Sequence, residues 1–424
     1  MSRTFLLLII ILLSAALAIQ YLPQSLEPVN TDNIKAEESF DQKISPAYSH
    51  LIETLLEQKG QLAEAYQTVE SAKRAELRDY FGDKTLAKHE VKYPEINEGT
   101  AVLYPVLLPE RIELLLHFSD SLCRIRVPVP GNEISEAAIR LHDNIQNRTS
   151  GRFIRQSRQL YDWLIAPIKS TLAKHQIHTL ITVPDGSLRL IPMAGLFNGT
   201  NFLIHEYALA TTPSLYFTNP HSVAKNNSQI MLGGLSEAVQ GFTPLKNVPD
   251  ELSGIQSLFN QSEVYLDKQF TLGKIEQNLK QTPYQIVHIA THGQFDSEHN
   301  NTFILTYDDK LTMDKLENLL LEKRDNPIEL LTLSACQTAL GDERAALGLA
   351  GIAIKTGVQS ALASLWSVND ESTTLLMQEF YRQLQKPDMS KAKALQLAQI
   401  KVADEQRFRH PAYWAAFLLI GNWL

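Results

Sequence analysis

The sequence contains few cysteines and no sustained block of basic residues. Two cysteines, Cys123 and Cys336, occur in 424 residues, which excludes a disulfide framework and leaves a single bridge between them open. There are 39 Lys and Arg residues against 47 Asp and Glu residues, so the formal net charge is −8. A nucleic-acid groove usually leaves a basic stretch, so we expect no nucleic acid partner. An acidic calcium-binding loop is also lacking, and no cofactor or metal is indicated.

The apolar content is that of a globular protein. Hydrophobic residues make up 44% of the chain and charged residues 20%, values that are ordinary for a protein with a well-formed core. A chain of 424 residues is too long for one small domain. We therefore expect two or three structural units.

The N-terminal segment, MSRTFLLLIIILLSAALAIQ, differs in composition from the rest of the chain. Its apolar stretch from Phe5 to Ile19 is shorter than the roughly 20 residues that span a bilayer. Ala16 and Ala18 form a small-residue pattern typical of signal-peptide cleavage, which predicts an exported protein, periplasmic or extracellular. An uncleaved membrane anchor over residues 5–22 is the alternative. In either case residues 1–30 are set apart from the folded protein.

Residues 36–98 form a predicted helical region. Apolar residues fall at helical spacing between Ala47 and Phe81, and Gly60 interrupts the pattern, which predicts a helical hairpin. One hairpin is similar to a tetratricopeptide unit but is equally consistent with an ordinary pair of helices. This region either packs on the rest of the chain or binds a regulatory protein partner.

Short apolar runs alternate with helical patterns in the remainder of the chain. Runs such as TLITV, QIMLGGL, QIVHIA and IELLTL are continuous enough for strands that are buried on both faces. Between and around them, helices are predicted at 133–148, 152–175, 247–259, 271–281, 312–322, 345–356, 370–385 and 390–405. This alternation predicts a mostly parallel sheet with helices on both faces.

Two reactive residues follow two of these strands. His292 and Gly293 come at the end of QIVHIAT, and Cys336 comes at the end of IELLTLSA, 44 residues later. One crossover with a helix near 312–322 fits between them. Because parallel strands present their carboxyl ends at one edge of a sheet, both residues are expected to face the same crevice.

This pairing suits nucleophilic catalysis. Cys336 supplies the nucleophile, His292 the general base, and the N–H groups of Gly293 and Cys336 an oxyanion hole. A buried, inert cysteine and a structural histidine are the alternatives. His288 is predicted to be buried and hydrogen-bonded in its strand. His288 and His292 straddle the end of that strand and have no third ligand nearby, so we do not expect them to form a metal site. Cys123, expected to be buried in a strand, would be the partner in any inhibitory disulfide.

Several motifs together resemble a CHAT domain. They are HIATHGQF, LTLSACQTALGDERAALGLAGIAIKTG, SALASLWSVNDESTTLLMQEFYRQL and HPAYWAAFLLIGNWL, and the resemblance covers residues 99–424. CHAT domains are relatives of caspases and separases that often follow tetratricopeptide repeats in bacteria. The resemblance implies an α/β fold, a caspase-like three-layer sandwich with a mostly parallel central sheet. It also implies a cysteine-type endopeptidase with His292 and Cys336 as catalytic residues.

The resemblance also suggests a role for Asp370. Separase-like relatives carry an acidic residue after an LW-x-V-x-D segment, and LWSVND places Asp370 at that position. A carboxylate there would bind an Arg or Lys that precedes the scissile bond of a protein or peptide substrate. The alternative is that Asp370 caps the following helix. At the level of the whole protein, the alternative to an enzyme is a silent scaffold that binds protein partners.

Overall fold

A computed structural model describes residues 40–81, 95–221, 228–295, 302–321, 327–334, 336–338 and 357–424. Ser45–Leu424 form one compact unit, and of the preceding unit, Met1–Ile44, the structure describes residues 40–44. The predicted export segment and the predicted helix at 345–356 lie outside the described residues. Within the described parts of the chain, no helix is sufficiently long and apolar to cross a bilayer.

The first two helices confirm the predicted hairpin. Helix α1 (Phe40–Glu57) and helix α2 (Leu62–Phe81) are separated by a turn that contains Gly60. Gly60 has a φ of +89°, a left-handed conformation that residues with a Cβ rarely adopt. The break between the helices therefore coincides with the glycine that interrupts the sequence pattern.

The rest of the described chain alternates strands and helices. The strands are β1 (Thr100–Leu107), β2 (Ile112–His117), β3 (Leu122–Val127), β4 (Thr179–Thr182), β5 (Ala208–Thr211), β6 (Ile230–Gly234), β7 (Ser262–Leu266), β8 (Ile286–Ala290), β9 (Gly293–Phe295), β10 (Phe303–Leu305), β11 (Lys310–Thr312), β12 (Leu330–Leu333), β13 (Cys336–Thr338), β14 (Ser360–Ser364) and β15 (Phe417–Gly421). The further helices are α3 (Gly131–Ile145), α4 (Phe153–Leu164), α5 (Lys169–Lys174), α6 (Val248–Gln256), α7 (Leu272–Gln281), α8 (Met313–Leu321), α9 (Asp370–Leu384) and α10 (Lys391–Asp404).

One predicted helix is interrupted. Residues 152–175 were expected to form a continuous helix, but α4 ends at Leu164 and a 3₁₀ turn, Ala166–Ile168, precedes α5. Pro167 is the physical reason, because proline has no N–H to donate and its ring conflicts with the carbonyl four residues earlier.

Eleven strands form one sheet in the order β3-β2-β1-β4-β5-β15-β14-β12-β8-β6-β7. Neighbouring strands are antiparallel in the β1–β2–β3 meander and between β14 and β15, and the other pairs are parallel. β5 meets β15 in a single registered pair, Thr211 with Ile420. The sheet therefore joins an N-terminal half, β1–β5, to a C-terminal half at this β5–β15 junction.

Helices cover both faces of this sheet. Alternate residues of a strand point to opposite faces, and in β1 Val102 and Tyr104 enter one apolar cluster while Ala101 and Leu103 enter another. Helices α1, α2, α6, α9 and α10 contribute to the first cluster, whereas α3, α4 and α5 pack on the second face. On that second face α7 and α8 cover the C-terminal half. The three layers, preceded in the sequence by a helical hairpin, confirm the predicted α/β fold class.

A second, four-stranded sheet was not predicted. It has the order β11-β10-β9-β13 and lies in the sequence around α8. In its described residues, the connection between His292 and Cys336 therefore contains β9, β10 and β11 as well as the predicted helix.

The hairpin packs on the N-terminal half through buried polar contacts. The carboxylate of Glu70, with no exposed surface, accepts hydrogen bonds from the Tyr104 hydroxyl at 2.5 Å, the Ser214 hydroxyl at 2.5 Å and the Leu215 N–H at 3.1 Å. Burial raises the pKa of this carboxyl, and the hydrogen bonds from Ser214 and Tyr104 oppose the rise. Of the two expectations for this region, packing on the rest of the chain is the one seen for residues 45–81.

Two ion pairs extend the same interface along α2. Lys73 Nζ lies 2.5 Å from the Asp185 carboxylate, and it also donates to the Pro184 carbonyl at 3.2 Å. Arg189 donates to the Glu76 carboxylate at 2.6 Å. Lys73 and Arg189 are nearly buried, so these pairs are shielded from solvent on one side and fix the direction of α2 on the sheet.

Candidate active site

His292 lies just beyond the carboxyl end of β8, as predicted. Thr291 and His292 connect β8 to β9, and the Thr291 hydroxyl donates to the Leu305 carbonyl at 3.0 Å. The Leu305 N–H in turn donates to the His292 carbonyl at 2.9 Å. These two hydrogen bonds to β10 hold the backbone of His292, whose side chain is half-buried.

Cys336 begins β13, and the structure describes it by its backbone. β8 and β12 are neighbouring parallel strands, with Ile289 opposite Leu333. Beyond them, β9 and β13 also pair in parallel, with Gly293 opposite Cys336. Neighbouring strands lie about 4.8 Å apart, so the backbones at positions 293 and 336 are adjacent. The two predicted strand ends thus meet at one edge of the molecule.

The His292 ring is oriented by a backbone carbonyl. Its Nε2 lies 2.7 Å from the carbonyl oxygen of Thr243. A carbonyl only accepts, so Nε2 carries the proton and Nδ1 is the basic nitrogen of the neutral ring. The Phe242 ring lies beside the imidazole, with centroids 5.3 Å apart and planes tilted by 32°. Sequence reasoning missed both residues, because neither is a titratable or metal-binding type.

The direction of the Gly293 N–H follows from the strand pairing. β9 lies between β10 and β13 in the smaller sheet. The His292 carbonyl points toward β10, where it accepts from Leu305. In a trans peptide the N–H of the next residue points the opposite way, so the Gly293 N–H is directed toward β13 and Cys336.

Asp370 is the first residue of α9, and it does not cap that helix. The cap is Asn369, whose side-chain oxygen accepts from the Ser372 N–H at 3.0 Å. The alternative prediction that Asp370 is the cap is therefore wrong. A carboxylate oxygen of Asp370 accepts from the Asn247 N–H at 2.8 Å. Burial raises the pKa of Asp370, the hydrogen bonds from Asn247 oppose this rise, and the charge of Glu251 adds to it.

His288 has a structural environment, as predicted. Its side chain is fully buried in β8, and its Nε2 lies 2.9 Å from a carboxylate oxygen of Glu251. The Tyr381 ring packs edge-on against it at 5.5 Å between centroids. The two histidines thus have different partners. His288 contacts Glu251, whereas His292 contacts Thr243.

Cys123 lies far from this site. It is a half-buried residue of β3, where burial had been expected, and β3 is an edge strand of the large sheet. Seven strand intervals separate β3 from β12, which corresponds to on the order of 30 Å. A disulfide requires Cα atoms within about 7 Å, so a bridge from Cys123 to Cys336 does not fit this fold.

The family is decided by a sequence comparison. The model of the CHAT domain matches residues 155–422, more than half of the chain. The chain belongs to the CHAT domain family. This match extends from α4 into the residues that follow β15 and includes both predicted strand ends, so the CHAT domain comprises the site described above.

Similar proteins include tetratricopeptide repeat protein 28 from Homo sapiens, which is 24% identical over 326 residues. That match covers 62% of this CHAT protein but 13% of the human protein. Among solved structures, the Saccharomyces cerevisiae separase–securin complex matches with a TM-score of 0.52 and 10% identity, over 92% of this chain and 34% of that chain. The Arg-specific cysteine proteinase gingipain R of Porphyromonas gingivalis matches with a TM-score of 0.40 and 10% identity, over 69% of this chain and 74% of that chain.

The similarity to separase establishes the fold. The CHAT protein has a caspase-like α/β architecture. This chain spans about an eighth of its curated relative and about a third of the separase chain.

Proposed function

We propose that this CHAT protein is a cysteine-type endopeptidase that uses His292 and Cys336 as a catalytic dyad. The observation that carries the proposal is the parallel register of β9 and β13, which pairs Gly293 with Cys336 immediately after His292. The hydrogen bond from Nε2 to the Thr243 carbonyl supports it, because the basic Nδ1 is then available for the thiol proton.

The reaction would begin with transfer of the Cys336 thiol proton to His292 Nδ1. The thiolate attacks the peptide carbonyl carbon, and the N–H groups of Gly293 and Cys336 bind the resulting oxyanion. As the intermediate collapses, the imidazolium gives its proton to the leaving amine, the C–N bond breaks and a thioester remains. His292 then deprotonates a water molecule, which hydrolyses the thioester to release the acid and the free thiol.

We further propose that Asp370 binds a basic side chain before the scissile bond. Its carboxylate is half-buried and has a raised pKa, because burial removes water that would stabilise the charged form. A cationic side chain placed beside the carboxylate would stabilise that charge instead. A carboxylate offers about four lone-pair positions, and the Asn247 N–H occupies one of them. The substrate would be a protein or peptide with Arg or Lys before the bond that is cut.

We also propose that a regulatory protein partner binds to the exposed surface of α1 and α2. The buried surface of the hairpin is already occupied by the sheet. Exposed positions there include Thr54, Glu64 and Gln67, which are polar. This part of the proposal concerns recruitment and is separate from the chemistry at Cys336.

The dyad is tested by labelling the purified chain with a peptide chloromethyl ketone that carries Arg before the reactive group. We expect alkylation at Cys336, loss of labelling in the His292→Ala variant, and loss of peptide cleavage in the Cys336→Ala variant. Mass mapping identifies the labelled residue, and Cys123 serves as the internal control. Equal, slow labelling of both cysteines in a folded protein would favour a silent scaffold instead.

The basic preference is tested with a matched probe in which citrulline replaces Arg. Citrulline keeps the shape of Arg without its charge. The ratio of the two labelling rates therefore measures how much the ion pair contributes to recognition of the probe. We expect the Asp370→Asn variant to lose about ten- to a hundredfold of the Arg preference, the effect of one hydrogen-bonded charge pair. An unchanged ratio would exclude Asp370 from substrate recognition.

A further inference from the structure

The Thr243 carbonyl that orients His292 belongs to a connecting segment, residues 236–247, between β6 and α6. The start of this segment is held by Asp267, whose carboxylate accepts from the Ser236 N–H at 2.6 Å and the Ser236 hydroxyl at 2.7 Å. Farther along, the Gln240 side chain donates to the Thr306 carbonyl at 2.9 Å. Thr243 itself is exposed, so its position depends on what holds the segment on either side.

The end of the segment is held by one polar face of α9. Asp370, Thr374 and Gln378 are four residues apart and therefore lie on the same side of the helix. The Asp370 carboxylate accepts the Asn247 N–H at 2.8 Å, and Gln378 donates to the Asp250 carbonyl at 2.8 Å. Between them the Thr374 hydroxyl lies 3.4 Å from the Asn247 carbonyl oxygen and 3.1 Å from that of Asp370.

Helix α9 is itself firmly packed. Leu376, Met377, Phe380 and Tyr381 have no exposed surface and belong to the main apolar cluster. Its first turn is also held from the other side, where the Ser372 hydroxyl lies 3.4 Å from the Tyr413 carbonyl oxygen. A packed helix of this kind provides a fixed reference for the Asn247 end of the connecting segment.

We propose that Asp370 is a positioning residue for His292, acting through Asn247 and the Thr243 carbonyl. By holding the end of residues 236–247, Asp370 keeps the Thr243 oxygen at Nε2 and so keeps His292 in the tautomer whose Nδ1 is basic. The effect of Asp370 on catalysis rests on the proposed dyad. Its effect on the tautomer of His292 does not depend on that proposal. This role is additional to any contact of Asp370 with substrate.

The test compares Asp370→Ala with Asp370→Asn in the full chain. Asparagine keeps a side-chain oxygen that can accept the Asn247 N–H, whereas alanine does not. The state of His292 is read directly from the ¹⁵N shifts of its ring nitrogens in histidine-labelled protein, with a His292→Gln variant for assignment. Glu371→Ala is the matched control, because Glu371 is the neighbouring carboxylate of the same helical turn and pairs with Arg407 rather than with α6.

We expect wild type, Asp370→Asn and Glu371→Ala to show the Nε2–H tautomer, and Asp370→Ala to show a mixture. For a peptide with Arg before the bond, Asp370→Asn should raise KM with kcat largely kept. Asp370→Ala should also lower kcat by about ten- to a hundredfold, the effect of a small displacement of a catalytic group. A Thr374→Val variant should shift the tautomer in the same direction to a smaller extent.

An Asp370→Ala protein that keeps the wild-type tautomer would overturn the inference, whatever its activity. If Asp370→Ala fails to fold, Thr374→Val decides, and an unchanged tautomer in that variant would also overturn it. If wild type has no peptidase activity but the tautomer responds as expected, the proposed function fails and the positioning role stands. The two claims are therefore tested by separate measurements.

Discussion

The carboxylate of Glu70 lies in the interior of the protein, on the side of α2 that meets the sheet. Three donors from two other parts of the chain, Tyr104, Ser214 and Leu215, converge on its two oxygens. Tyr104 also lies 3.1 Å from the Tyr66 hydroxyl, which is in turn 3.1 Å from His117 Nδ1. Burial lowers the pKa of His117 to about 4, so this histidine is neutral in the network at neutral pH.

Removing the Glu70 carboxylate should therefore destabilise the whole fold. In the Glu70→Ala variant three buried donors lose their acceptor, and we expect a loss of about 2–4 kcal/mol in the free energy of unfolding, measured in urea. Glu64→Ala on the exposed side of α2 is the control and should change stability by about 0.5 kcal/mol or less. Equal effects of the two substitutions would show that the hairpin does not depend on Glu70.

At the scale of elements, an ion network connects α1 to the edge of the sheet. Glu113 on β2 is fully buried and accepts from Arg111 at 2.6 Å and from Arg124 on β3 at 2.7 Å. Arg111 also donates to Glu53 at 2.9 Å and to Glu57 at 2.7 Å, both on α1. Burial by itself would raise the pKa of Glu113, but the hydrogen bonds from Arg124 and Arg111 outweigh it and hold the pKa below 4.5.

The sign of the resulting pH dependence follows from this lowered pKa. The ionised carboxylate stabilises the folded state above the ordinary pKa of 4.5, and this contribution is lost as the pH falls through the lowered value. We expect the stability advantage of wild type over Glu113→Gln to be constant at neutral pH and to shrink below about pH 4.5. Urea unfolding at a series of pH values measures it.

Glu136→Gln provides the comparison, because Glu136 forms an exposed pair with Arg140 on α3. Such exposed pairs contribute little, so its difference from wild type should stay small at every pH. A Glu113→Gln difference that does not change with pH would mean that the arginines do not hold the carboxylate in its ionised form.

Most elements could be predicted from the sequence. Predicted helices at 271–281 and 370–385 correspond to Leu272–Gln281 and Asp370–Leu384, because amphipathic patterns of this length are distinct. Strands β9, β10 and β11 have three residues each, too few to show an alternating pattern, and they were missed. In the candidate site, His292 and Gly293 could be placed at a strand end by pattern. The Thr243 contact could not, since a backbone carbonyl has no signature in the sequence.

At the scale of the whole molecule, the β5–β15 junction is narrow but is covered by α10. The buried Gln396 side chain donates to the Ile204 carbonyl of the N-terminal half. One turn farther on, Gln399 donates to the carbonyls of Trp414 at 3.0 Å and Phe417 at 3.1 Å in the C-terminal half. The first apolar cluster also includes residues of both halves. Side-chain contacts therefore join the two halves in addition to the single strand pair.

We accordingly expect the described fold to unfold in one cooperative step. Circular dichroism and tryptophan fluorescence should give coincident transitions in urea. Gln396→Ala should lower the unfolding free energy by about 1–3 kcal/mol, since the Ile204 carbonyl is left without its donor, while the transition remains single. The exposed Gln406, just after α10, is the control position. Two separated transitions would mean that the halves are independent.

The position of β15 in the sheet also determines the order in which the protein can assemble during its synthesis. β5 and β14 are both made before β15, yet each has β15 as a neighbour. Until residues 417–421 leave the ribosome, the nascent chain contains two incomplete sheets with exposed strand edges, which attract other strands. Pairing Thr211 with Ile420 is the contact most distant along the chain in this sheet, so closure of the junction belongs to a late, slow stage of folding.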